Sequence, residues 1–295
     1  MRLGRFIELK RIYVETENLK RFGTTDRVKF DIVAHSMGGL VARYYLRYGT
    51  QPLPDKGLPS LTWVGIENVS KLILVAPPNA GSIVAIKQLT DGLVMVPWQG
   101  RYQPALLGTM TSVYELLPRT WHHVLVDADT GTPLDILDPE VWETDRWGLA
   151  NPDQDKTLAI FLPDVSSPAE RRSIALDHLR KCLDTARRFQ AALDVPATTL
   201  PGVRISLFAG DAAPTNTMAV ARMGTIIISG TGPGDRTVAR YSALMNERFP
   251  LLDSNAKLRS PIAWHDVTFL AEDHLWMTRS PRFSDNVLFQ ILEMP

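Results

Sequence analysis

The sequence predicts an α/β fold, an open and mostly parallel sheet flanked by helices and carrying a cap insert, and three observations lead there. Strand-length apolar runs at residues 28–34, 71–76, 203–209 and 267–270 are interleaved with stretches of helical spacing. A tight turn, His35-Ser36-Met37-Gly38-Gly39, joins the first strand directly to its helix. Residues 90–165 break the pattern with a segment rich in Pro, Trp and Asp. With 295 residues, 45% of them apolar and 22% charged, the chain can bury the core such a fold needs.

Taken in order, Phe6, Leu9, Ile12, Tyr13, Thr16 and Leu19 recur every three or four residues ahead of Gly23. This predicts an amphipathic helix over residues 6–22 with one face buried. Val28, Phe30, Ile32 and Ala34 alternate with Lys29, Asp31 and Val33, a strand that loses polar character toward its C-terminal end. Beyond the turn, Leu40, Val41, Tyr44, Tyr45 and Tyr48 return to helical spacing, and Gly49 followed by Pro52 and Pro54 ends the helix. After a Pro/Gly-rich loop over residues 50–68, KLILVA (71–76) reads as a buried parallel strand that opens a second strand–helix unit. Ser167, Pro168 and Glu170 supply an N-cap, a first-turn proline and a capping-box glutamate to a long helix through Ile174, His178, Cys182, Ala186, Phe189 and Leu193. Strands follow at 203–209, 224–229 and 267–270, and Phe283, Val287, Leu288, Ile291 and Leu292 define a closing helix. The expected division is a core of residues 1–89 and 200–295 with a cap over residues 90–199.

Several function classes are disfavoured at once. Lys+Arg and Asp+Glu balance at 32 each, so net charge favours neither nucleic acid nor an anionic membrane surface as partner. Cys182 is the only cysteine, which excludes an internal disulfide and a cysteine-built metal cage. No run approaches the ~18–20 apolar residues of a membrane span, and the start MRLGRFIELKR carries charge where a signal peptide would be apolar. A cytoplasmic protein without metal or cofactor is expected. Asp127-Ala128-Asp129-Thr130-Gly131 resembles the start of a calcium loop but lacks the later acidic ligands, and reads as a polar turn. His122-His123 has no partner at metal spacing.

The turn at Ser36 carries the chemistry. A serine hydroxyl attacks only when its geometry exposes it and a base removes its proton, and a strand-to-helix turn meets the first need. Ala34-His35-Ser36-Met37-Gly38 differs from the G-x-S-x-G pattern only in Ala for the first Gly. There the Met37 N–H and the helix N-terminus face a developing oxyanion. The competing reading has Ser36 only capping the helix.

Chain order in this arrangement runs Ser, then Asp or Glu, then His. His35 is too close to Ser36 to fold back on its hydroxyl, and His122, His123 and His178 lie in the insert. His274 follows the strand at 267–270 and so reaches the sheet edge of Ser36, whereas His265 precedes it and points to the opposite edge. Two aspartates end strands before His274, namely Asp211 in Ala209-Gly210-Asp211 and Asp235 in Gly234-Asp235-Arg236-Thr237-Val238. Spacing does not choose between them.

Four segments, AHSMGGLVARYYL (34–46), LVAPPNAGS (74–82), PGDRTVARYSAL (233–244) and EDHLWMTRSPRFSDNVL (272–288), with SVYELLPR (112–119) between them, resemble bacterial members of the lecithin:cholesterol acyltransferase-like group of α/β-hydrolases. The resemblance implies an α/β-hydrolase fold and acyl-ester chemistry through an acyl-serine intermediate. It puts the family's G-D-G-T-V segment on residues 234–238, with Arg236 in place of the second Gly, so that Asp235 becomes the acid and His274 the base. The expected site is therefore Ser36, Asp235 and His274, with Met37 as oxyanion donor and a small-molecule ester or lipid as substrate. Hydrolysis, transfer to an alcohol, and a weak or inactive relic that binds a lipid or protein partner all fit these letters. Trp98, Tyr102, Tyr114, Trp121, Trp142 and Trp147 in the insert either line an acyl-binding face or are core. The fold normally places further strands and an oxyanion loop before the serine, and residues 1–27 show no such loop. An N-terminally incomplete sheet is expected, with self-association through the exposed edge of the 28–34 strand.

Overall fold

A computed structural model of the chain describes residues 2–94, 98, 100–197, 202–222, 224–245 and 260–293. Of the cap expected over 90–199, residues 95–97, 99, 198 and 199 lie outside that set. Helix α1 (Arg2–Phe22) leads to β1 (Phe30–His35), which runs through Ser36 into α2 (Met37–Tyr48). Strand β2 (Val69–Val75) is followed by α3 (Ile83–Asp91). Short elements come next, α4 (Pro104–Gly108), α5 (Thr111–Tyr114), β3 (Leu125–Asp127), α6 (Pro139–Thr144) and α7 (Asp155–Phe161), before the long α8 (Pro168–Asp194). The chain continues through β4 (Arg204–Gly210), β5 (Ala213–Arg222), β6 (Thr225–Gly234), α9 (Arg240–Leu244), β7 (Asp266–Leu270) and α10 (Pro281–Leu292).

The main sheet has the order β1-β2-β4-β7 and every pairing is parallel, with Ala34 beside Leu74, Leu74 beside Leu207 and Leu207 beside Val267. All four C-terminal ends therefore open on one edge. Side chains alternate faces along a strand, and β2 shows what that does here. Leu72 and Leu74 pack with Leu46 of α2 and Ala243 of α9, while Ile73 and Val75 pack with Met277 and with Phe283 and Val287 of α10. Both faces are covered, which is why residues 71–76 read as a nearly continuous apolar run. Ser82 caps α3 by accepting from the Val84 N–H, and Ser167 caps α8 by accepting from the Glu170 N–H.

Residues 105–158 share a second core with α3, α8, β5 and β6. Tyr114, Trp142 and Trp147 are fully enclosed with Leu179, Cys182 and Leu183 of α8 and with Ala219 and Ile226 of β5 and β6. The indole N–H groups of Trp142 and Trp147 donate to the carbonyls of Ile136 and Gly224 at 2.8 and 2.7 Å. The two indoles are core with their N–H groups satisfied, whereas Trp98 and Trp121 are exposed.

Two elements differ from the sequence expectation. α1 forms, yet Phe6, Leu9, Ile12, Tyr13 and Leu19 are all exposed and only Gly4 and Ile7 are buried. The helix meets the described residues along a narrow line through Gly4, where an added Cβ would lie 2.6 Å from Thr50. The spacing of its apolar residues therefore reports helicity and not burial. Residues 213–222 form β5, which pairs antiparallel with β6 and parallel with β3 in a second three-stranded sheet. Its buried positions are small or polar (Ala213, Thr215, Thr217, Ala219), so its two-residue period carries little apolar signal. β6 runs on to Gly234 through three glycines because β5 lies close against it. A Cβ at Gly234 would meet Thr215 at 2.5 Å, and one at Gly232 would meet Thr217 at 3.0 Å.

Among the described residues no helix is long and apolar enough to cross a membrane, and no cluster of three or more His, Cys, Asp or Glu could hold a metal ion. Asp127 instead closes its own turn, with Oδ1 accepting from the N–H groups of Asp129 and Thr130.

Candidate active site

Ser36 stands between the last residue of β1 and the first of α2 with φ 54° and ψ −129°, a backbone conformation that costs a non-glycine residue about 1–3 kcal/mol. Its N–H donates to the Val75 carbonyl at 2.8 Å and its own carbonyl accepts from Gly39 at 2.9 Å, so the turn is pinned to β2 and to the helix it starts. Gly39 is required there, because a Cβ would lie 2.8 Å from the Pro77 side chain. Gly38 is different: a Cβ at that position meets nothing within 4 Å. The steric demand of the turn thus falls three residues after the serine. Met37 opens α2, and its N–H is among the first-turn donors that have no acceptor inside the helix.

His274 lies on the loop between β7 and α10, at the C-terminal edge of the sheet, and is buried. The Ser36 hydroxyl donates to its Nε2 at 2.8 Å, and its Nδ1–H donates to Asp235 Oδ2 at 2.8 Å. Asp235 leaves β6 and is 1% exposed. Its other oxygen, Oδ1, accepts from the backbone N–H groups of Thr237 (3.0 Å) and Val238 (2.6 Å). One carboxylate oxygen is therefore held by the main chain and the second is turned onto the imidazole. Asp211, the alternative acid, ends at the surface with Arg240 at 3.8 Å. Gly210 packs directly behind Asp235, where a Cβ would fall 2.5 Å from the Asp235 Cβ.

Two further contacts fix the His274 loop, and sequence spacing points to neither. The His35 Nε2–H donates to the His274 carbonyl at 3.0 Å with the two rings 4.9 Å apart, and the His274 N–H donates to the Asp235 carbonyl at 3.0 Å. Burial, then the neighbouring His274, lowers the pKa of His35 and favours its neutral form. Spacing sets His35 aside because it does not reach the Ser36 hydroxyl; its reach to the main chain of His274 depends on the fold and leaves no trace in the sequence. Arg236 occupies the left-handed region at φ 71° where the family pattern has Gly, and its guanidinium bonds Asp273, the neighbour of His274, at 2.8 Å. The other histidines lie apart from Ser36. His265 accepts from the Ile205 N–H at the start of β4, His178 contacts Cys182, and the buried His122 ring packs edge-on to Tyr241.

Ser36 and His274 open into a cleft of about 430 Å³. Its walls are mainly apolar, from Pro78, Val84, Ala85, Leu93, Leu116 and Leu275. The aromatic residues of the insert do not line it; α3 and the loop after α5 do.

This parallel sheet, with a serine turn on its first strand and an imidazole at the same edge, defines an α/β-hydrolase fold. A sequence model described as lecithin:cholesterol acyltransferase matches residues 7–160, more than half of the chain, and the chain belongs to that family. A chain in the crystal structure of the Tle4–Tli4 complex superposes with a TM-score of 0.56 at 16% identity. That alignment covers 94% of this chain and 62% of the other, so the present chain spans less than two thirds of the relative's length. No curated protein matches.

Proposed function

We propose that this chain is a serine acyl hydrolase or acyltransferase acting on an ester, lipid esters included, through an acyl-Ser36 intermediate. The observation that carries the reading is the unbroken relay from Ser36 Oγ to His274 Nε2 and from His274 Nδ1 to Asp235, both steps 2.8 Å, at the mouth of an apolar cleft. Ser36 Oγ attacks the ester carbonyl carbon while its proton passes to His274 Nε2. The carbonyl oxygen takes the negative charge beside the Met37 N–H at the start of α2. When the tetrahedral intermediate collapses, the leaving alkoxide takes the proton back from Nε2 and departs as the alcohol, leaving Ser36 acylated. Water or a second alcohol then gives its proton to His274 and attacks the acyl group, and the proton returns to Ser36 as the bond breaks. Throughout, Asp235 keeps Nδ1 protonated and stabilises the imidazolium.

The test is turnover of a p-nitrophenyl ester by the full chain and by Ser36→Ala. The substitution is expected to lower kcat by roughly 10⁶-fold, leaving only what cleft and oxyanion donor supply. Turnover that survives it would place the nucleophile elsewhere. Adding a long-chain alcohol and measuring the new ester against free acid separates transfer from hydrolysis.

A further inference from the structure

The segment SVYELLPR (112–119) holds a residue that the acyl chemistry leaves unused. Leu116 lines the ester cleft, but Glu115, one residue earlier, faces a separate cavity of about 230 Å³. That cavity lies between α1, α2 and α8, with Leu3, Val41, Tyr44, Leu53, Thr185 and Phe189 around it. Tyr44 and Phe189 stack with ring centroids 5.7 Å apart. Among the described residues no hydrogen bond or ion pair engages the Glu115 carboxyl. Burial alone pushes its pKa up to about 7.

We propose that this cavity binds a small organic cation, an ammonium group on a short alkyl body, with Glu115 as counter-ion and Tyr44 and Phe189 as its aromatic wall. Charge complementarity selects the sign, because a carboxylate in an apolar site repels anions and gains more from a paired cation than from a neutral hydrogen-bond donor. The aliphatic and aromatic lining suits the alkyl body of the ligand. The volume admits one small ligand only, since it falls below the ~300 Å³ at which drug-sized pockets begin. The site stands independently of the acyl reaction, with residues 115 and 116 forming the wall between the two cavities.

The experiment is calorimetric titration of the full chain with hexylamine, cationic at both pH values, and with 1-hexanol, a neutral ligand of the same chain length. Hexylamine is expected to bind more tightly, with affinity rising about tenfold from about pH 6 to about pH 8 as a carboxyl titrating near 7 ionises. The other groups facing the cavity do not supply that slope. Burial raises the lining Tyr44 to about 12 and also raises the lining Tyr45, and it raises Cys182, which lies outside the lining but interacts with Glu115, so all three stay protonated. Arg188, along α8, is held by Asp184 and the Pro54 carbonyl. Glu115→Gln copies the shape of the protonated carboxyl, so the fold tolerates it. The variant should bring hexylamine down to the affinity of hexanol and flatten the pH dependence. Should that variant fail to fold, the two ligands on the unaltered chain decide alone. Equal affinity for amine and alcohol, no binding of either, or hexylamine binding indifferent to Glu115→Gln would overturn the proposal.

Discussion

β4 and β6 both end in a Gly-Asp pair, and the two aspartates inhabit different chemistry. Asp235 is enclosed, with Oδ1 fixed by two backbone N–H groups and Oδ2 aimed at His274. Asp211 stands at the surface, its carboxylate 3.8 Å from the Arg240 guanidinium. The residue type and its preceding neighbour are the same, so the difference comes from the path of the main chain beyond each aspartate. After Asp235 the chain turns through Arg236 in the left-handed region and presents two N–H groups back to the side chain. After Asp211 it enters β5 within two residues. The main chain thus takes one oxygen of Asp235 and leaves the other for the imidazole, and Gly210 contributes by leaving Asp235 room to sit there.

That contrast is open to direct attack. If Asp235 orients His274, Asp235→Asn should keep the fold and lower kcat by about 10⁴-fold through the wrong imidazole tautomer. Gly210→Ala removes no functional group, yet its methyl would press on the Asp235 backbone, 3.1 Å from Cα and 3.2 Å from N. It should displace the carboxylate from the imidazole and lower kcat by roughly 10²-fold with a smaller effect on KM. Asp211→Asn should change kcat by no more than about twofold and stability by no more than about 0.5 kcal/mol, as expected of a loose, partly exposed ion pair. The reverse ranking of the two aspartates, read from ester turnover on variants with unchanged circular dichroism, would exchange their roles.

How much of this was legible in the sequence depends on where each signal lives. The runs at 71–76 and 203–209 announced buried strands because both faces of β2 and β4 are covered. β5 was silent because its alternation is carried by Ala and Thr. The Ser36 turn was legible, since a strand pattern runs straight into a helix pattern across a single residue. The sequence favours His274 over His265 because strand polarity sends them to opposite sheet edges. Spacing does not choose the candidate acid, since Asp211 and Asp235 both follow strands; the resemblance over residues 234–238 points to Asp235, and the second sheet and its hairpin, which carry that residue across to His274, leave no trace in spacing. His35 was illegible for the same reason, its partner being main chain 239 residues away.

The most direct measurement is labelling of the full chain with a fluorophosphonate, followed by peptide mapping of the adduct. Such reagents react with a serine whose hydroxyl is already poised to lose its proton. If the relay from Ser36 through His274 to Asp235 activates the serine, the phosphonyl adduct maps to Ser36 and is absent from Ser36→Ala, while Asp235→Asn slows its formation and Asp211→Asn does not. An unlabelled chain, or an adduct on another serine that persists in Ser36→Ala, would contradict it.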